Sequence, residues 1–466
     1  MKRCVFCSLV VLTALPCSAK PDLNVVLFLI DDLGWKDLGC QGSTYYKTPN
    51  IDRLAAEGMR FTDAYAACNV CSPTRASIMT GKYPARVMLT QWLPAGRWNP
   101  RQHRMREARF LRALPLEELT LAEALRDAGY VTLHVGKWHL GGPPFSLPAQ
   151  HGFDVNVAGS EHGAPGSYFY PYKGKWVIPT TGKTVVKQTL PDGKEGEYLT
   201  DRLTDEAIAL IRQNKDRPFF LYFPHYAVHT PLQAKDQMVA KYEKVPQAER
   251  QGNPKYAAMV ESVDDSVGRI MEVLHELHLD EKSLVIFTSD NGGFARATQN
   301  APLRANKGSN YEGGLRVPLI IRWPGKTRPG SVTDVPVISN DFYPTLLEAA
   351  GLPARPHQHL DGVSLVPVLT GGTLQRQALY WHYPHYNRHP YSFPAGAIRK
   401  GTWKLIEHYE TGKRELFDLS TDIGEQRDLA GTNPERVEQL ASELDAWRRS
   451  VGADPMTRNP EYEESK

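Results

Sequence analysis

The sequence predicts an α/β fold, with a large mixed β-sheet sandwiched by helices and a smaller C-terminal α+β domain that contains an antiparallel sheet. Three observations predict it. Continuous apolar runs such as Asn24–Ile30 and Ser283–Ser289 have the pattern of strands buried on both faces. Segments of helical period lie between these runs, Val260, Val263, Val267, Ile270 and Leu274 being one example. After Gly372 the texture changes to short strand-like pieces separated by turns.

A chain of 466 residues is long enough for one large domain and a smaller one. The net charge of +3 is too small to suggest a nucleic-acid binder. No tract beyond the N-terminus is apolar enough to span a membrane, so no integral membrane segment is expected in the mature chain. At the N-terminus, Lys2 and Arg3 precede an apolar run from Val5 to Leu15, and Cys17-Ser18-Ala19 supplies small residues for cleavage. Residues 1–19 therefore read as a secretory signal peptide, residues 20–372 as the large domain and residues 373–466 as a C-terminal α+β subdomain. Leu15-Pro16 is a poor context for lipidation at Cys17. Cleavage leaves Cys40, Cys68 and Cys71, which are no disulfide framework. Cys68 and Cys71 have zinc spacing, but no second ligand pair follows. The absence of any Asn-x-Ser/Thr acceptor favours a bacterial exported protein, periplasmic or secreted.

In chain order, Asn24–Ile30 ends in Asp31-Asp32. Adjacent carboxylates at the end of a buried strand repel each other, and a cation is the natural reason to place them there. Pro49 to Glu57, stopped by Gly58, reads as a helix with Ile51, Leu54 and Ala55 inward. In Cys71-Ser72-Pro73-Thr74-Arg75, Pro73 suits a first helical position and Gly81 a helix end, which puts Cys71 just outside a helix N-terminus. Such a place favours an anion or a nucleophile of lowered pKa, and Arg75 adds a fixed cation one turn along.

Arg97, Arg101, Arg104, Arg106, Arg109 and Arg112 follow, with Trp92 and Trp98 near, as a solvated face or the rim for an anionic substrate. Leu121 to Ala128 reads as a helix and Tyr130–Val135 as a strand. If the tail after it is extended, Lys137 and His139 share a face and can grip an oxyanion. From Gly159 to Gly196 the Gly, Pro, Tyr and Lys content predicts hairpins and loops. A helix over Thr204–Gln213 precedes the strand Pro218–Phe223. That strand leads to His229, a proton donor or oxyanion ligand, and to His225, a structural residue.

Residues 255–276 form a helix in which Asp264-Asp265 is a decoy, because Asp265 can meet Arg269 one turn on. Ser283–Ser289 ends in Asp290-Asn291, a second pair of hard oxygens, and Lys307 lies in the polar loop before the strand Val317–Ile321. Four strand ends thus deliver carboxylates, lysines and histidines to one sheet edge, where α/β folds bind ligands. Near the C-terminus, strands are expected around Leu379–Trp381, Ala397–Arg399, Trp403–Ile406 and Glu415–Leu419, and a helix over Pro434–Arg449.

Together these motifs resemble the type I sulfatases (arylsulfatases) of the alkaline phosphatase-like superfamily. Cys71-Ser72-Pro73-Thr74-Arg75 with Thr80-Gly81 matches that family's modification motif, in which a maturation enzyme oxidises the cysteine to formylglycine. The resemblance implies a calcium ion held by Asp31, Asp32, Asp290, Asn291 and the hydrated residue 71. Arg75 would steady the hydrate, and Lys137, His139, His229 and Lys307 would line a sulfate pocket. One hydroxyl of the gem-diol can attack sulfur while the alcohol leaves, protonated by His229 or Lys307. The second hydroxyl then expels sulfate. The expected substrate is a sulfated carbohydrate, a glycosaminoglycan or algal-type glycan; the arginines and the cluster Trp381, His382, His385 and Arg388 either suit one with further anionic groups or are ordinary surface and loop packing. A phosphate or phosphonate ester hydrolase and a glycan-binding pseudoenzyme are the alternatives.

Overall fold

The computed structural model describes residues 22–93, 98–177 and 183–462. The leader assigned to residues 1–19, and Arg97, lie outside the described residues.

Eight strands form the main sheet: β1 (Asn24–Ile30), β2 (Met59–Phe61), β3 (Val131–Val135), β4 (Val155–Val157), β5 (Phe219–Pro224), β6 (Ser283–Ser289), β7 (Leu319–Arg322) and β8 (Ser331–Thr333). Their order is β8-β2-β7-β6-β1-β5-β3-β4, and β7 alone runs against the rest. The helices over it are α1 (Pro49–Glu57), α2 (Cys71–Thr80), α3 (Leu121–Asp127), α4 (Leu199–Asn214), α5 (Pro254–Glu276) and α6 (Phe342–Ala349).

All seven residues of β1 are buried, and their alternation divides them between two cores. Val26, Phe28 and Ile30 pack with α1, α4 and α5. Val25, Leu27 and Leu29 pack with α2, α3 and α6. A strand covered on both faces has no position for a polar side chain, so its sequence is apolar throughout and polarity begins only at its end. The three-residue strands β2, β4 and β8 carry too little sequence to show a period, and none was expected.

Helix ends follow local chemistry. At α3, Thr120 Oγ1 accepts from the Glu123 amide at 3.1 Å, and the Thr120 amide donates to Glu123 Oε2 at 2.8 Å. The N-terminus of α1 takes its acceptor from another helix: Asp264 on α5 accepts from the amides of Asn50 at 3.2 Å and Ile51 at 2.8 Å. Asp264 is therefore structural, as the decoy reading expected. The Arg269 partner differs from that reading, because Arg269 pairs with Asp205 on α4 rather than with Asp265. Asp264→Ala strands those buried donors and should cost about 1–3 kcal/mol. A lowered melting temperature with unchanged turnover per folded molecule is the expected result.

The C-terminal sheet is antiparallel in the order β9 (Leu379–Tyr383), β10 (Ala395–Lys400), β11 (Trp403–His408) and β12 (Arg414–Asp418). Helix α7 (Pro434–Ser450) packs Val437, Leu440, Leu444 and Trp447 against it. Buried polar contacts tie this sheet to the main domain. Lys404 Nζ bridges Glu312 at 2.8 Å and Glu425 at 2.9 Å, and Trp381 donates its indole N–H to the Ala66 carbonyl at 2.9 Å.

Candidate active site

The site stands at the carboxyl ends of β1, β5 and β6. Beyond β1 the chain stays laced to its neighbours, the Asp31 amide donating to the Ala227 carbonyl at 3.0 Å and the Asp290 amide to the Ile30 carbonyl at 3.1 Å. Asp32 then takes a left-handed backbone, φ 63°, a conformation that Asp tolerates better than most residues. Asp31, Asp32, Asp290 and Asn291 are all buried together there.

Helix α2 brings in residue 71. Its cap is Val70, and Cys71 is already the first helical residue rather than a residue outside the helix. Pro73 falls third, where its missing N–H is still one of the donors that has no partner within the helix. Gly81 ends the helix at φ 67° with its amide on the Ser77 carbonyl at 2.9 Å. Burial pushes the Cys71 thiol up in spite of the nearby ammonium groups of Lys137 and Lys307. The sequence expectation of a lowered thiol pKa is corrected accordingly: burial, with the Asp31 and Asp290 carboxylates adding to it, outweighs the two ammonium groups.

Charges around Cys71 are tightly paired. Arg75 Nε and Nη2 bind Asp290 Oδ2 at 2.9 and 2.8 Å, and Nη1 donates to the Lys137 carbonyl at 2.9 Å. Lys137 Nζ meets Asp31 Oδ2 at 2.5 Å, and Lys307 Nζ meets Asp32 Oδ1 at 2.5 Å. Asn291 Nδ2 donates to Asp32 Oδ1 at 2.8 Å. Burial first, then the neighbouring Asp290 carboxylate, raises the Asp31 carboxyl to about 8. Burial also opposes the Asp32 carboxylate, but Lys307, His229 and the Asn291 amide hold it below the usual range.

These residues fit a hard cation. Among the described residues Asp31 Oδ1 and Asn291 Oδ1 are buried without a hydrogen-bond partner, which is costly for a polar atom unless something else takes its lone pairs. The ligand atoms of Asp31, Cys71 and Asp290 lie within 4.8 Å of one another, as do those of Asp31, Asp32 and His229. An oxygen-rich set of this kind suits calcium. Cys68 belongs to neither group, so its zinc-like spacing from Cys71 goes unused among the described residues.

A pocket of about 500 Å³ opens over this cluster. Asp32, Cys71, His139, His229 and Lys307 form its floor, and Trp92, Trp176, Lys187, Phe294, Arg296 and Arg388 are among its wall residues. The segment after β3 is irregular rather than extended, with His139 at φ 61°. His139 Nε2 donates to the Leu93 carbonyl at 2.5 Å, which leaves its Nδ1 buried and unpartnered. His229 Nδ1 donates to the Thr230 carbonyl at 2.8 Å, and its Nε2 lies 3.7 Å from Asp32 Oδ2. Burial holds His139 well below its ordinary pKa. It lowers His229 to about 3, with Lys307 and Lys137 adding to the shift against Asp32.

The expected rim is rearranged. Arg106 pairs with Glu461 at 3.1 Å and Arg109 with Asp454 at 2.9 Å, while Arg112 lies over the Phe110 ring. None of the described arginines from 101 to 112 lines the pocket. Trp381, His382 and His385 are buried packing residues, His382 bonding Tyr409 and His385 bonding Thr90, so that Arg388 alone of that cluster faces the pocket. His225 is buried beside Ser266, the structural place expected for it. Sequence reasoning missed Trp176, Lys187, Phe294 and Arg296, which come from a hairpin (Lys173–Val177 with Thr184–Gln188) and from the loop after Asn291.

A buried carboxylate set beneath lysines and histidines, at the edge of a mostly parallel sheet, is suited to hold a cation beside a tetrahedral oxyanion, the arrangement an ester hydrolase needs. Comparison with known proteins narrows this. The sulfatase family profile matches residues 23–352, and the profile "N-sulphoglucosamine sulphohydrolase, C-terminal" matches residues 305–450. Human arylsulfatase A is 34% identical over 92% of this chain and 89% of its own. Human N-acetylgalactosamine-6-sulfatase is 33% identical over 77% of this chain and 68% of its own. The solved structure of Ps i-CgsB in complex with k-i-k-neocarrahexaose superposes with a TM-score of 0.77 at 32% identity, covering 92% of this chain and 93% of that one. The chain belongs to the sulfatase family: it is a type I sulfatase with the alkaline phosphatase-like fold, and hence a sulfuric ester hydrolase.

Proposed function

We propose that this sulfatase acts on a sulfated carbohydrate, with calcium and a formylglycine made from Cys71 by a maturation enzyme. The observation that carries the reading is the unpartnered pair Asp31 Oδ1 and Asn291 Oδ1 buried beside a residue 71 whose own thiol is held protonated. A thiolate nucleophile is disfavoured at that position, whereas a hydrated aldehyde needs no thiolate. The carbohydrate substrate is supported by the saccharide bound to Ps i-CgsB and by the sugar in the name of N-acetylgalactosamine-6-sulfatase.

Asp31, Asp32, Asp290, Asn291 and residue 71 would hold the calcium, which acts as a Lewis acid on oxygen. Arg75 fixes Asp290 through two hydrogen bonds, so the carboxylate cannot turn away from the cation. Lys137, His139 and Lys307 place positive charge and an N–H-capable ring where sulfate charge gathers. The leaving alcohol takes its proton from His229 or Lys307. Lys307 already holds one, because Asp32 raises its pKa against the cost of burial. His229 gains one when an anionic ester faces its bare Nε2.

Leaving-group dependence separates the two. The variant that lacks the acid, His229→Ala or Lys307→Ala, should lose about 100-fold or more on a sugar sulfate and far less on a nitrophenyl sulfate, whose alcohol departs without a proton. Matched aryl sulfate and aryl phosphate esters test the reaction class itself. We expect sulfate to be preferred by about 100-fold in kcat/KM, and a preference for phosphate overturns the reading.

The same proposal includes export to the periplasm or beyond and a division of the mature chain at residues 372 and 373. Among the described residues no helix is long and apolar enough to cross a membrane. An exported chain whose mass begins after residue 19 is the expected outcome.

A further inference from the structure

The pocket is much larger than a sulfate group, and its wall has an unused charge. Among the described residues Asp32 is the only carboxylate that lines it, and Lys307 already neutralises Asp32. Arg296 and Arg388 also line it, are exposed, and make no hydrogen bond, ion pair or ring contact among the described residues. That isolation is unlike Arg106, Arg109, Arg202 and Arg414, which all pair with carboxylates. Lys187 adds a third cation: among the described residues its Nζ donates only to the Ala164 carbonyl, at 2.7 Å, and it sits 5.3 Å from the Trp176 ring centroid. Its pKa falls to about 8 through burial and the charge of Lys137. Three cations thus line one pocket, and among the described residues no carboxylate of its wall answers them.

We infer that the Arg296 and Arg388 wall of the pocket is a second anion subsite, so that the substrate is a saccharide carrying another sulfate or a carboxylate beside the sulfate that is cleaved. The inference rests on the carbohydrate reading above and narrows it. Guanidinium groups fit both anions through paired hydrogen bonds, and an exposed wall permits a substrate larger than one sugar. The floor grips the scissile sulfate, and the wall grips what lies next to it.

Binding to Cys71→Ala protein tests the subsite apart from chemistry. The ligands are neocarrabiose bearing one or two sulfates, and N-acetylgalactosamine 6-sulfate alone or joined to a uronate. Calorimetry is expected to show tighter binding, by about tenfold or more, of a dianionic member than of its monoanionic partner. Removing both arginines (Arg296→Ala with Arg388→Ala) should collapse that ratio toward one, while Arg296→Lys and Arg388→Lys should restore part of it. The sulfate pair and the uronate pair report which anion is chosen. Equal binding of both members in both pairs, or a ratio that the double variant leaves intact, overturns the inference. Should the wild-type protein hydrolyse no sulfated sugar while this ratio persists, the carbohydrate-sulfatase reading fails and the subsite stands.

Discussion

Cys71→Ala should lower sulfatase turnover by about 10,000-fold or more, with little change in the melting temperature. The effect is this large because no neighbouring group can replace the lost one. Residue 71 is the first residue of α2 and lies within 4.8 Å of carboxylate oxygens of Asp31 and Asp290. Lys307 and His229 line the approach and Lys137 is buried beneath it, but Lys137 and Lys307 each lie against a carboxylate and His229 is held neutral by burial. A side chain one methyl group long fits the buried space, so folding is spared. Activity measured on both an aryl sulfate and a sugar sulfate, together with thermal denaturation, separates loss of chemistry from loss of fold. Turnover in the alanine variant comparable to that of the parent would remove residue 71 from the mechanism.

If the cluster holds calcium as proposed, chelation should abolish turnover and lower the melting temperature, and added calcium should restore both. The electrostatics of the cluster set the pH dependence. In the cation-free protein the Asp31 carboxyl rises from its ordinary 3.8 to about 8, chiefly through burial. The folded state then binds more protons than the unfolded state between those values, so apo-protein stability falls as pH rises from 3.8 toward 8. A bound cation displaces the Asp31 proton. Calcium affinity should accordingly strengthen as pH rises to about 8 and level off above it, with proton release on binding near neutral pH. Calorimetry in buffers of different ionisation enthalpy reads that release, and stabilisation by calcium that does not vary with pH would contradict it.

Much of this site was legible because each part sits at a sequence landmark. The strands β1 and β6 have the predicted ends, Ile30 and Ser289, since burial on both faces forces an abrupt change from apolar to polar where the strand leaves the sheet. Helix α1 has the predicted bounds because Pro49 starts it and Gly58 stops it. Asp31, Asp32, Asp290 and Asn291 could be placed together from those ends alone. The cap of α2 was misplaced by two residues because Pro73 is tolerated anywhere in the first turn, and Val70 gives no capping signal.

The pocket wall was not legible. The arginines between 101 and 112 were a clear charge signal, but a run of charge does not reveal its partner. Arg109 meets Asp454, 345 positions along the chain, and Arg106 meets Glu461, 355 positions along. Of the wall cations only Arg388 was anticipated; Arg296 and Lys187 are single polar residues in a loop and a hairpin, without period or motif, and only the fold brings them to the same cavity. Trp381 and His382 looked like sugar-binding residues by type, yet the C-terminal sheet turns both into its packing.

The mass of the Cys71 peptide from protein matured in its native host tests the central claim most directly. The account predicts that active protein carries an aldehyde or its hydrate at position 71 in place of the thiol. Fully active protein with an unmodified cysteine there would contradict it.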